Sequence, residues 1–236
     1  MLEAQKIQEE YYKKTAQNYD EMHLKAGEDE EHEFALSFFS SIIELYSIKS
    51  VLDVGAGTGR TITFLKDKYP YLHVVGIEPV TELREIGYSK GISKDTLIDG
   101  SGTSMNFKDG EFDLVCEFAV LHHVARPQDM VSEMLRVAKK AIFISDSNNF
   151  GQGSVTSRIF KQAVNSLGLW KAYNFVKTKG KGYQITEGDG LAYSYSVFNN
   201  YKLIEQACKT IHTINTKGKS IDHYSSAEHV AVLGIK

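Results

Sequence analysis

A strand that ends in an acid and runs into three alternate glycines, V-L-D-V-G-A-G-T-G-R at residues 51–60, constrains this chain more than any other stretch. Val51, Leu52 and Val54 predict a short central strand interrupted by the charge of Asp53. Gly55, Gly57 and Gly59 follow at alternate positions, where missing side chains let the backbone turn sharply and present N–H groups at close range. The spacing is neither the G-x-G-x-x-G of dinucleotide sites nor the G-x-x-x-x-G-K-[ST] of phosphate-binding loops. A carboxylate beside such a loop repels a pyrophosphate and suits a ligand that carries an ammonium group.

The D-x-G-x-G-x-G pattern resembles motif I of the class I S-adenosylmethionine-dependent methyltransferases. The resemblance implies an α/β fold: a Rossmann-like seven-stranded methyltransferase sheet with helices on both faces, an antiparallel last strand and S-adenosyl-L-methionine as cofactor. It assigns Asp53, Gly55, Ala56, Gly57 and Gly59 to the cofactor site. L-H-V-V-G-I-E-P at 72–79 predicts a second strand ending in Glu78 and Pro79, and a right-handed β-α-β crossover sets Glu78 beside the glycine loop. A carboxylate there accepts hydrogen bonds from both ribose hydroxyls.

Two other stretches carry the same resemblance. Y-Y-K-K-T-A-Q-N-Y-D-E-M-H at 11–23 is similar to the N-terminal lid of small-molecule methyltransferases, which implies that Tyr19 lies over the cofactor. G-S-G-T-S-M-N-F-K-D-G-E-F-D at 100–113 matches the tail of a family segment but has Ser101 where the family has its adenine-contacting Asp. Either Ser101 with the Gly102 backbone, or Asp99, takes that contact.

At 236 residues the chain can bury a substantial core and fits one α/β domain over 1–236, with a lid over 1–33 and a cap insertion after strand five over 149–197. A net charge of -3 gives no broad attraction for nucleic acid or an anionic membrane, although a local basic patch is compatible with it. Cys116 and Cys208 lack C-x-x-C spacing and read as small buried hydrophobes in a reducing compartment. The polar, helical start does not resemble a signal peptide and no apolar run reaches membrane-spanning length, so a cytoplasmic location is expected.

Periodicity predicts helices over 3–18, 34–46, 61–68, 82–90, 131–137, 154–167, 169–177 and 199–210. It predicts strands over 51–54, 72–79, 96–99, 112–116, 140–148, 209–215 and 227–236, with a hairpin in the cap over 182–198. Residues 21–33 read as an acidic solvated loop in which His23 and His32 have little support as metal ligands. His212, His223 and His229 show no ligand spacing and are expected to be structural or exposed, so no metal site is indicated.

Ligands of open α/β sheets sit outside the carboxyl ends of the strands, which places Phe118, Leu121, His122 and His123 at the mouth of strand four, bordering cofactor and substrate. His122, His123 and Asp146 are the candidate general bases. D-S-N-N at 146–149 is not the N-P-P-Y type, which counts against nucleobase and glutamine-amide methylation. The cap concentrates Trp170, Tyr173, Tyr183, Tyr193 and Tyr195 with Lys177, Lys179 and Lys181, a mixture able to stack on a ring and attract an anion. The expectation is methyl transfer to an O or N atom of a small metabolite, a sugar or natural-product intermediate being favoured. Quinone or lipid acceptors stand close behind, ahead of a non-catalytic cofactor-binding protein or a nicotinamide-dependent oxidoreductase. The partner is a small-molecule acceptor, with no nucleic acid and no membrane span, and the oligomeric state is left open.

Overall fold

The computed structural model describes residues 2–20, 30–186, 188–219 and 221–236. One sheet holds β1 (Ser50–Val54), β2 (His73–Ile77), β3 (Leu97–Ile98), β4 (Phe112–Phe118), β5 (Ala138–Ser147), β8 (Thr210–Lys217) and β9 (His229–Ile235), in the order β3-β2-β1-β4-β5-β9-β8. A separate hairpin, β6 (Tyr183–Thr186) and β7 (Gly190–Tyr193), belongs to the cap. β1 to β5 pair in parallel, and β9 runs antiparallel to both β5 and β8. This is the Rossmann-like sheet with its antiparallel last strand.

The central strands are apolar on both sides because helices cover both faces. Leu52, Val54, Val75, Val115, Ile142 and Ile144 pack against α5 (Pro127–Val137) through Met130, Val131 and Met134, and against α8 (Tyr201–Ala207) through Ile204. The alternate residues Val51, Val74, Leu114, Cys116 and Phe143 pack against α2 (Glu30–Leu45) through Phe39, Ile42 and Ile43, and α3 (Arg60–Lys68) through Ile62 and Leu65. Period-two alternation thus sorts each strand between two cores. α4 (Thr81–Ser89) carries the chain from β2 to β3.

Strand order reverses between β1 and its two neighbours β2 and β4, and at such a switch point the loops leaving the carboxyl ends diverge and open a crevice. Three segments roof it: α1 (Leu2–Thr15) with its 3₁₀ extension Ala16–Asn18, a 3₁₀ turn Leu121–His123, and the cap of α6 (Val155–Ser166), α7 (Trp170–Lys177) and the β6–β7 hairpin. α1 reaches β7 directly, where the buried Gln8 accepts from Leu191 N–H at 2.5 Å.

Several boundaries differ from the sequence expectation. The helix expected from 199 starts at Tyr201 after a 3₁₀ turn, Val197–Asn200, and a short helix α9 (His223–Ser226) precedes β9. The third strand shrinks to Leu97–Ile98, pairing only with Gly76 and Ile77 of β2. β5 begins at Ala138, directly after α5, because Ala138 already pairs with Phe112. Residues 21–29, with His23 and the first part of the acidic stretch, and Glu187 of the expected hairpin turn lie outside the described residues, whereas the rest of that stretch, expected as loop, is the first turn of α2, Glu30–Leu45. Among the described residues no helix is long and apolar enough to cross a membrane. Both cysteines are free.

Candidate functional site

The bend after β1 is held by β2. Gly55 and Ala56 N–H both donate to the Ile77 carbonyl, at 2.9 and 3.0 Å. Gly57 N–H then donates to Glu78 Oε2 at 3.0 Å, while Val80 N–H donates to Glu78 Oε1 at 2.9 Å. Gly55 and Gly57 have φ of 75 and 55, and a Cβ on Gly55 would fall 2.6 Å from Val120. These positions require glycine for both conformation and space. Burial raises the Glu78 carboxyl to about 7 against the pull of its two N–H donors, and burial likewise raises Asp53 to about 7 against Arg60 and Thr61.

A cavity of about 280 Å³ opens beside Glu78, walled by Val54, Pro79, Val80, Leu83, Met130 and the Ser101–Thr103 turn. A second, of about 520 Å³, lies under the cap and is lined by Asp53, Ala56, Thr58, Arg60, His122 and the cap aromatics. Tyr12, Tyr19, Gly55, Phe118, Ala119, His123 and Tyr193 border both, so the two share one neck above the glycine bend. Tyr19 lies over that bend, its hydroxyl 3.3 Å from where a Gly57 Cβ would stand.

At the neck His122 Nδ1 meets Asp146 Oδ1 at 2.7 Å. Asp146 is wholly buried and also accepts from Leu121 N–H at 2.8 Å and Ser147 N–H at 2.5 Å. Asp189, in the turn of the cap hairpin, stands 3.4 Å from Nε2 of both His122 and His123. Burial would lower His122, but Asp146 and Asp189 outweigh it and hold the imidazole well above its ordinary value, so it stays charged. Burial would raise Asp146, yet His122 and the backbone donors hold it at about 2. His123 bonds the Leu191 carbonyl through Nδ1 at 2.6 Å and the Tyr12 hydroxyl through Nε2 at 3.1 Å. His122, His123 and Asp189 also make the donor set of a candidate cation site, their ligand atoms all within 4.8 Å of one another.

On the far wall of the larger cavity His32 and His229 meet edge to face, ring centroids 5.3 Å apart. His229 Nδ1 pairs with Thr216 Oγ1 at 2.8 Å. His229 Nε2, His32 Nδ1 and Asn149 Nδ2 are buried with no hydrogen-bond partner among the described residues. Burial lowers His32 to about 3 and His229 to about 4, so both rings are neutral at physiological pH.

Residues 52–144 match the family model described as a methyltransferase domain. The uncharacterized methyltransferase YcgJ of Bacillus subtilis is 30% identical over 136 residues, 55% of this chain and 50% of the relative. Its crystal structure superposes with a TM-score of 0.56 at 17% identity, covering 87% of this chain and 99% of that one. Over residues 52–144 the chain is thus similar to a methyltransferase domain, and its fold is that of the class I S-adenosylmethionine-dependent methyltransferases. Magnesium protoporphyrin IX methyltransferase of Synechocystis, solved with bound cofactor, shares the fold of this chain at a TM-score of 0.64 and 12% identity, over 99% of this chain and 97% of that one. Norajmaline N-methyltransferase of Rauvolfia serpentina is 32% identical over 95 residues, 38% of this chain and 32% of the relative. This chain spans about half the length of the first curated relatives it matches.

The cofactor of the matching domain is S-adenosylmethionine, and the residues around the smaller cavity fit its nucleoside end. Val54, Pro79, Val80, Leu83 and Met130 give that cavity an apolar wall, its one buried carboxylate is Glu78, and the bend below has glycine at 55, 57 and 59. Of the cofactor residues expected from sequence, Gly55, Glu78, Pro79, Ser101, Gly102, Phe118 and Tyr19 line that cavity, and Asp53 and Ala56 line its neighbour. Gly57 is represented by its N–H on Glu78, and Gly59 closes the turn as the left-handed residue before α3. Asp99 is placed elsewhere: its carboxylate pairs with Arg84 at 2.7 Å and is 76% exposed, outside both cavities. Ser101 and Gly102, the alternative to Asp99, line the smaller cavity.

Trp170, Tyr183, Tyr193 and Tyr195 all line the larger cavity. Tyr195 offers it only part of its ring, because its hydroxyl accepts from Asn200 at 2.9 Å in the core. Asp146 lines neither cavity and touches the site through His122. His229, expected to be structural or exposed, is buried at the cavity wall. An antiparallel last strand starts where the parallel strands end, and His229 pairs with Ser147 at the mouth of β5. The topology expected from sequence carried that signal. Gln8, Tyr12, Asp189 and Asn149 had none, being brought in by tertiary packing.

Proposed function

We propose that this chain methylates an O or N atom of a small, polar metabolite held under the cap, with a sugar or other natural-product intermediate favoured. The observation that carries the reading is the shared neck. It joins a nucleoside-sized cavity at Glu78 to a second cavity that holds three unpartnered polar atoms, on His32, Asn149 and His229. Unsatisfied buried groups cost about 1–3 kcal/mol each unless a ligand pairs with them. A hydroxylated or amine-bearing acceptor does so. Norajmaline N-methyltransferase and the magnesium protoporphyrin IX methyltransferase act, by name, on small molecules, which supports this acceptor class.

S-adenosylmethionine supplies an electrophilic methyl on a sulfonium. Glu78 and the Gly55–Gly59 backbone bind and orient it, Asp53 and the Asp189 carboxylate offer negative charge along the larger cavity, and Tyr12, Tyr19 and the cap exclude water. Orientation of this kind supplies about 7–11 kcal/mol of a displacement barrier. His122 and His123 were the first candidates for a base. The charged His122, clamped by Asp146, has no lone pair to offer, whereas neutral His229 meets Thr216 Oγ1 through Nδ1 and keeps a buried Nε2 with no partner among the described residues; the tautomer protonated on Nδ1 leaves that nitrogen basic. His229, with His32 beside it, is therefore the favoured base, and the His122–Asp146 pair positions the loop.

A second reading, a quinone or lipid acceptor, is favoured by the apolar exterior of the cap. Incubation of the protein with methyl-labelled S-adenosylmethionine and fractionated polar and lipid extracts separates the two. Label in a polar metabolite supports the first, label in the lipid fraction the second. Label in neither, with the cofactor bound, supports a non-catalytic binding protein.

A further inference from the structure

Between Ser147 and Thr186 the chain contains no Asp or Glu and six cations, Arg158, Lys161, Lys171, Lys177, Lys179 and Lys181, although the whole protein carries a net charge of -3. The same stretch holds eight of the thirteen exposed large apolar side chains among the described residues. They are Val155, Ile159, Phe160, Leu167, Leu169, Phe175, Val176 and Ile185. Val155 and Ile159 are one turn apart on α6, so they share a helix face. α6 packs on α7, the Phe160 and Tyr173 rings meeting at 5.3 Å. The inner sides of these helices line the larger cavity through Ser157, Lys161, Trp170, Asn174 and Lys177. Their outer sides carry the apolar residues.

Single exposed apolar residues are ordinary, but a run this dense within one segment marks an interaction surface. The charge selects among occupants. A second copy would bring the same cations against themselves, and an uncharged partner would leave them uncompensated. Lys161 and Lys177 face the cavity, but a sheet of anionic headgroups compensates the outward Arg158, Lys171, Lys179 and Lys181 while the side chains between them enter the acyl boundary, the arrangement of interfacial amphipathic helices.

We infer that the outer face of α6 and α7 docks on a bilayer containing anionic lipid. Lys171, Lys179 and Lys181 face headgroups, and Ile159, Leu167, Phe175 and Val176 enter the interface. The docking is independent of what the chain methylates, since it uses the outside of the cap and none of the neck residues. It sets the acceptor cavity directly behind the membrane surface.

Flotation of the whole chain with phosphatidylcholine vesicles, with and without phosphatidylglycerol, tests it. Phe175→Trp puts a tryptophan on the outer side of α7, where quenching by brominated acyl chains reports contact; the native Trp170 lines the cavity instead. The expected result is flotation of the unmodified chain, and quenching in F175W beyond that of the parent, with phosphatidylglycerol vesicles only, both reversed by high salt. A triple K171E/K179E/K181E variant should lower vesicle affinity by at least about tenfold. I159S/V176S should lower it as well, both variants keeping the parent's thermal midpoint. Absence of flotation with the unmodified chain, or flotation unchanged in both variants, overturns the inference. So does a dimer in light scattering that I159S/V176S dissolves while vesicles remain unbound, which gives the face to a second copy. Should either of these variants fail to fold, flotation of the unmodified chain and quenching in F175W decide.

Discussion

His122 and Asp146 form a closed pair, Nδ1 to Oδ1 at 2.7 Å, in which the carboxylate has no exposed surface and the imidazole keeps 11% of its own. The pair ties the 3₁₀ turn after β4 to the end of β5, and Asp189 ties the same imidazole to the cap. Its first consequence is structural. Asp146→Asn leaves a buried cation facing a neutral amide, and removal of one member of such a pair costs about 3–5 kcal/mol. Urea unfolding of Asp146→Asn should show a loss of that order, and His122→Asn in addition should restore part of it. An unchanged midpoint would mean that the pair carries no charge.

Glu78 gives a dependence on pH. Its carboxyl sits at about 7 in the free protein because burial favours the protonated form, while ribose hydroxyls donate to the ionised form. Binding then releases a proton, so cofactor affinity should rise with pH through about 7 and level off above it. Asp53, raised to the same value, acts with the same sign toward an ammonium group. Calorimetry across this range, in buffers of different ionisation enthalpy, measures the released proton directly. Glu78→Gln should weaken binding by about tenfold or more and flatten the profile.

The two cavity histidines separate binding from chemistry. His229→Gln should lower kcat by about a hundredfold while the cofactor Kd stays within twofold of the parent, about 0.4 kcal/mol. His122→Gln should instead lower stability and cofactor affinity through its loop. Single-turnover kinetics beside calorimetry distinguish the two patterns, and equal loss of turnover and cofactor affinity in His229→Gln would remove it as the base.

Gly57 tests the bend. Alanine there meets a φ of 55 and brings its Cβ to 3.3 Å from the Tyr19 hydroxyl. Gly57→Ala should lose about 1–2 kcal/mol from the left-handed conformation, together with cofactor affinity. Tyr19→Ala should relieve the contact but not the conformational cost, so the double variant should remain less stable than Tyr19→Ala alone in thermal unfolding.

The sheet was legible because its signals are local. Strand alternation between two cores, a D-x-G-x-G-x-G bend and an acid at the end of the next strand each lie within a few residues. The cofactor crevice follows from these by the handedness of β-α-β crossovers. The acceptor cavity was less legible because its walls come from α2, β9 and the cap, and no spacing in the chain joins His32, Asn149 and His229. His122 and His123 stood out as an adjacent pair, but sequence could not show that Asp146 and Asp189 close on His122 from both sides. The choice between Asp99 and Ser101 stayed open in the sequence for a related reason, since only the fold shows Arg84 within 2.7 Å of Asp99.

The central claim is that Glu78 and the side-chain-free bend at Gly57 hold the nucleoside end of the cofactor with its sulfur at the shared neck. The most direct test is a crystal structure of the chain with S-adenosylhomocysteine. The account predicts both ribose hydroxyls within hydrogen-bonding distance of Glu78, the adenine over Ser101 and Gly102, and the sulfur facing Phe118 and the larger cavity. Density for the nucleoside anywhere outside the cavity beside Glu78, or a Glu78 carboxylate that touches no ligand atom, would contradict it.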